Sequence, residues 1–82
     1  MSDDKNESIR LNYTIGEALL IMRRRHGLSQ SELAKRAGVA QRTVAKTESG
    51  DRSISLGAIT ALFVALGHDI LFALRERKDG DA

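Results

Sequence analysis

The 82 residues contain no cysteine, no proline and no tryptophan, and the aromatics amount to 4%, one Tyr and two Phe. Without Cys there can be no disulfide and no thiolate zinc site, a composition suited to a reducing interior. The absence of Pro and scarcity of aromatics favour a compact helical domain over a sheet protein. No apolar run approaches the roughly 18 residues needed to cross a bilayer. The opening "MSDDKNES" is too polar for a signal peptide, so the expected location is the cytoplasm. What remains is a 41% hydrophobic chain with room for one domain. Its core must be small, and oligomerisation is a common remedy for that.

The formal net charge of +2 conceals an uneven distribution. Residues 1–8 carry Asp3, Asp4 and Glu7 against Lys5, and Asp79 and Asp81 close the chain. The basic residues therefore concentrate in the body between two acidic ends, an arrangement that suits a polyanionic partner. We expect a flexible N-terminus over 1–8, a folded unit over 9–75, and a flexible tail over 76–82.

Four segments end in glycine, at Gly27, Gly38, Gly50 and Gly67, where a helix C-terminus favours a residue that tolerates the left-handed conformation. Thr14 with Glu17, and Ser29 with Glu32, have the S/T-x-x-E spacing in which hydroxyl and carboxylate satisfy orphan backbone N–H groups reciprocally. Ser55 can cap a fourth helix, weakened by Gly57 in its first turn. Ile15, Ala18, Leu19 and Met22 form one apolar stripe. Leu33, Ala34 and Ala37 form a short second, and Leu56, Ile59, Leu62, Phe63 and Leu66 another. All three read as core, whereas Leu20 and Ile21 fall off the first stripe and are candidates for a partner contact. After Gly67 the period becomes two: Ile70, Phe72 and Leu74 alternate with Leu71, Ala73 and Arg75. That pattern predicts a strand over about 68–75, and a lone strand needs another edge. A second copy of the chain is the expected source, giving a homodimer joined through Ile70, Leu71, Phe72, Ala73 and Leu74. The alternation Ile9, Leu11, Tyr13 could supply the edge instead, and so short a run could also continue as a fifth helix.

Helices over about 30–37 and 41–49, joined by three or four residues around Gly38, have the layout of a helix-turn-helix. The tight turn forces a large angle, so one helix can cross the phosphate backbone while the next enters the major groove. The run from Ile15 to Gly67 resembles the lambda-repressor-like, XRE-type helix-turn-helix family, chiefly through "GLSQSELA", "AGV" and Glu48-x-Gly50. This resemblance implies a mainly α, four-helix DNA-binding domain followed by the strand.

Carried over by the resemblance, Gln30 sits beside a DNA phosphate and braces the recognition helix. Gln41, Arg42 and Lys46 face base edges, flanked by Ala40 and Thr43. Residue chemistry agrees: Gln pairs bidentately with adenine, Arg with guanine, and an Ala methyl can meet a thymine methyl. Arg42 and Lys46 lie one turn apart on one helix face. Family members usually carry Ser or Thr where Ala40 stands, so the recognition helix lacks its usual cap, at a cost of about 1 kcal/mol. The resemblance also implies a partly buried ion pair between Arg23 and Glu48. Ser29, Arg24, Arg25, Lys35, Arg36 and Arg52 are candidate phosphate contacts, which position a protein on DNA without reading sequence.

Catalysis is not expected. His26 and His68 have no metal-ligand spacing, no glycine-rich phosphate loop is present, and the serines occupy cap or turn positions. We therefore expect no metal and no cofactor. The leading function is a homodimeric repressor of a palindromic double-stranded DNA operator. "ALGHDILFALRERK" resembles the strand that follows the fourth helix in HipB-like antitoxins. That likeness implies a HipA-like serine/threonine kinase toxin as partner and autoregulation of the shared operon. A stand-alone phage-type or restriction-modification controller regulator is the alternative within DNA binding. An interaction module with vestigial DNA binding is the alternative outside it.

Overall fold

The computed structural model describes residues 13–76. Four helices follow one another: α1 (Ile15–Arg25), α2 (Gln30–Ala37), α3 (Gln41–Glu48) and α4 (Leu56–Ala65). Short-range chemistry sets their starts. The Thr14 hydroxyl accepts from the Glu17 N–H at 3.0 Å while the Glu17 carboxylate accepts from the Thr14 N–H at 2.9 Å. Ser29 and Glu32 repeat the exchange at 3.0 and 2.8 Å. Those bonds to Ser29, backbone first, hold the Glu32 carboxyl below its usual range, so it is ionised where the N-terminal end of α2 favours negative charge. Ser55 caps α4 through the Ala58 N–H at 3.1 Å. Gly38 closes α2 in the left-handed conformation (φ 74°), with the Val39 N–H bonded back to the Ala34 carbonyl at 3.0 Å. That geometry makes the turn into α3 short.

Leu19, Leu33, Val44 and Leu62, one from each helix, are fully buried at the centre, with Ala34, Phe63 and Leu66 around them. Each large member contributes on the order of 1.5–3 kcal/mol by leaving water. α3 packs on both α1 and α2, and α4 closes the bundle against α2. The stripes hold except at their ends. Ile15 is 44% and Leu56 54% exposed, because each opens its helix, where a side chain projects past the neighbouring elements. Leu20 and Ile21 are half-buried rather than free.

Beyond α4 the described chain, 68–76, takes neither helix nor strand. The fifth-helix reading is therefore corrected for these residues. A strand is defined by its partner, and among the described residues none pairs with this segment. The edge considered at Ile9 and Leu11 lies outside the described residues, as do 1–8 and all of 76–82 except Glu76. Ile70 packs against the core, while Leu71 is 91%, Phe72 59% and Leu74 100% exposed. No described helix is long and apolar enough to cross a membrane.

Candidate nucleic-acid interface

Little of α3 is apolar, and its one large apolar side chain points inward. Val44 is fully buried, and Thr47 is buried with its hydroxyl donating to the Thr43 carbonyl at 2.7 Å. Burying these two residues turns the opposite arc outward. Gln41, Arg42 and Lys46 are exposed on it together with Ser49, and Ala45 lies half-buried between them. Ala40 precedes the helix as an exposed N-cap without a side-chain hydrogen bond, and Thr43 flanks the arc half-buried.

The pose of this arc is set at the C-terminal end of α3. Arg23 of α1 is 8% exposed and forks onto Glu48, Nε to Oε2 at 2.6 Å and Nη2 to Oε1 at 3.0 Å. Its remaining nitrogen, Nη1, donates to the Leu28 carbonyl at 2.8 Å in the turn between α1 and α2. Gln30, the first residue of α2, donates from Nε2 to Glu48 Oε1 at 3.0 Å. One carboxylate thus ties α3 to α1 and α2 at once. Burial alone would push the Glu48 carboxyl up, but the hydrogen bonds from Arg23 and Gln30 and the Arg23 charge prevail and hold it below its usual range. Arg23 is raised by the same hydrogen bond, so the pair is charged at neutral pH.

Gly16 is a second anchor that sequence reasoning missed. A Cβ there would stand 2.4 Å from the Thr47 carbonyl oxygen and 2.8 Å from that of Glu48. Only glycine lets the first turn of α1 approach the last turn of α3 so closely. The available signal was a glycine inside a helix whose other first-turn residues were well chosen. Val44 and Thr47 were missed as inward residues because two adjacent apolar residues in eight, Val44 and Ala45, give no period.

The remaining candidates lie on separate segments. Arg24 and Arg25 are exposed in the last turn of α1, Lys35 and Arg36 in the last turn of α2, and Arg52 in the loop after α3. In that loop the Asp51 carboxylate accepts from the Ser53 hydroxyl at 2.6 Å and the Ser53 N–H at 2.7 Å, which lowers its pKa and folds a tight turn around Arg52. Exposed Ser29 keeps a hydroxyl hydrogen to donate, since its oxygen is the acceptor in the cap. Gln30 spends one amide hydrogen on Glu48 and retains the other. Among the described residues no three His, Asp or Glu side chains are grouped to hold a metal ion.

Two short helices at a fixed turn, the second presenting a polar and cationic arc, define a DNA-binding helix-turn-helix domain. The comparisons agree: residues 19–70 match the family model described as Helix-turn-helix, and the chain belongs to that family. A chain in the solved "Structure of HipA-HipB-O2-O3 complex" is similar in fold, with TM-score 0.68 and 22% identity over 83% of this chain and 100% of that one. No curated protein matches.

Proposed function

We propose that this protein is a homodimeric, sequence-specific transcriptional repressor and the antitoxin of a HipBA-like toxin-antitoxin pair that autoregulates its operon. The observation that carries the DNA-reading part is the outward arc of Gln41, Arg42 and Lys46 on a helix fixed by the Arg23–Glu48 pair. In this reading Gln41 and Arg42 bond base edges, Lys46 extends the contact, and Ala40 and Thr43 pack beside them. Gln30 and Ser29 at the start of α2, with Arg24, Arg25, Lys35, Arg36 and Arg52, hold phosphates.

Two observations support the antitoxin part. The likeness to a chain of a HipA-HipB assembly runs the whole length of that chain, and no helix follows α4 among the described residues, as a regulator with a fifth helix would require. The exposed Leu71, Phe72 and Leu74 offer the apolar surface that a homodimer would cover. A HipA-like kinase would then bind the assembled dimer.

The test is a pull-down of the tagged chain from its native cytoplasm together with selection of its preferred DNA. The reading predicts a near-stoichiometric kinase-like protein and a palindromic site. DNA alone would leave a self-sufficient repressor, and a protein partner with no DNA preference would replace the reading with the interaction module.

A further inference from the structure

The segment after α4 carries its charges in an order that an antiparallel pairing with itself can use. It reads His68, Asp69, Ile70, Leu71, Phe72, Ala73, Leu74, Arg75, Glu76. In an extended chain Ile70, Phe72 and Leu74 share one side, and Asp69, Leu71, Ala73 and Arg75 the other. A two-fold axis perpendicular to an antiparallel pair must pass through a residue opposite its own copy, because residues directly opposite share a side. The choice of that residue fixes every other pairing.

We infer that two copies of this chain pair through this segment in the single register centred on Phe72, with Asp69 opposite Arg75 and His68 opposite Glu76 of the second copy. This inference rests on the homodimer proposed above and adds its geometry. Centring on Phe72 sets Phe72 against itself, Ile70 against Leu74 and Leu71 against Ala73, so every apolar residue meets an apolar one. The Asp69–Arg75 pair then joins opposite charges, twice over by symmetry, and His68 stands where a ring N–H can donate to the Glu76 carboxylate. Neighbouring registers lose this. Centring on Leu71 sets Asp69 against Ala73 and Arg75 against Gly67, and centring on Ala73 sets Ile70 against Glu76 and Leu71 against Arg75. Each alternative buries charge against apolar side chains, which like-with-like pairing avoids.

The structure supplies a seat for the incoming strand. Ile70 lies half-buried at the edge of an apolar groove lined by Tyr13, Ala18, Met22 and Phe63. Directly opposite residues stand about 4.5–5.5 Å apart. The second copy's Leu74, opposite Ile70, therefore comes down over this groove, while His68, Asp69, Arg75 and Glu76 remain at the exposed rim.

Because the chain has no cysteine, single Cys variants report the register without background. Oligomeric state is measured first, by light scattering on the unmodified chain. In the dimer, mild oxidation should cross-link Phe72→Cys to itself and leave Leu71→Cys and Ala73→Cys uncrosslinked, their copies being offset beyond the roughly 7 Å Cα limit for a disulfide. A mixture of Ile70→Cys and Leu74→Cys chains should cross-link while neither alone does, which tests the same register with Phe72 in place. Asp69→Arg or Arg75→Asp alone should weaken the dimer by about two- to thirtyfold, and the two together should restore it. A dimer that cross-links through position 71 or 73 overturns the register and leaves the homodimer standing. A monomer overturns both.

Discussion

Arg23 and Glu48 carry more of the site's geometry than any residue that would touch DNA. Each is nearly out of water, and truncating one strands the charge of the other, at a cost of about 3–5 kcal/mol. Glu48→Ala should therefore lower the urea midpoint severely, whereas Arg24→Ala, exposed on α1 beside Arg23, should change stability by less than about 0.5 kcal/mol. The pH dependence has a definite sign. The Glu48 carboxyl is held below its unfolded value, so its contribution is complete at neutral pH and is lost as the pH falls below about 4.3. Glu32 and Asp51 are shifted the same way. Denaturant titrations at pH 7 and pH 3.5 should show a smaller acid loss for Glu48→Gln than for the wild type; equal losses would assign the acid sensitivity elsewhere. Two glycines make a paired test. Gly16→Ala drives a methyl into the Thr47 carbonyl and should cost about 1–3 kcal/mol or more. Gly57→Ala fills open space in α4 and should gain about 0.5–1 kcal/mol, a rise in Tm of several degrees for a domain of this size.

At the scale of elements, what could be read from the sequence was what depends on near neighbours. The capping pairs Thr14–Glu17 and Ser29–Glu32, the Gly38 turn and the stripes of α1 and α4 are interactions within one or two helical turns, and the helices begin where those residues place them. What could not be read depends on packing across the chain. Gly16 is explained only by α3 lying against it, and the exposure of Ile15 and Leu56 only by where their helices open. For the interface, the polar side chains of α3 were visible in the sequence, but the inward role of Val44 and Thr47, which aims them, was not. The tail posed a different difficulty: its alternation describes one edge, and an edge specifies nothing until its partner is known. The missing cap on α3 is an element-scale weakness with a direct remedy. Ala40→Ser should supply a hydroxyl to the first turn and stabilise the domain by about 0.5–2 kcal/mol in thermal unfolding. No gain would mean that the backbone at residue 40 cannot present the hydroxyl to α3.

The whole molecule sets two α3 helices against DNA only if two chains associate. A Phe72→Asp change places like charges opposite each other at the centre of the proposed pairing and should yield monomers by light scattering, with loss of cooperative operator binding. Phosphate contacts should show themselves through salt. Replacing Arg25 or Arg52 by Ala should weaken binding to all sequences alike and reduce the slope of log K against log salt by about one per bound chain, since each contact releases condensed counterions. Changes on the α3 arc should instead alter which sequence is preferred, at about 1–3 kcal/mol per lost base contact.

The most direct measurement is therefore the comparison of selected binding sites for the wild type and Arg42→Ala at matched salt. The account predicts a palindrome with half-site centres about 34–36 Å apart, and loss of discrimination at one base pair in each half-site in the variant. An unchanged site with unchanged affinity would contradict it, because the outward arc of α3 would then not be what reads the DNA.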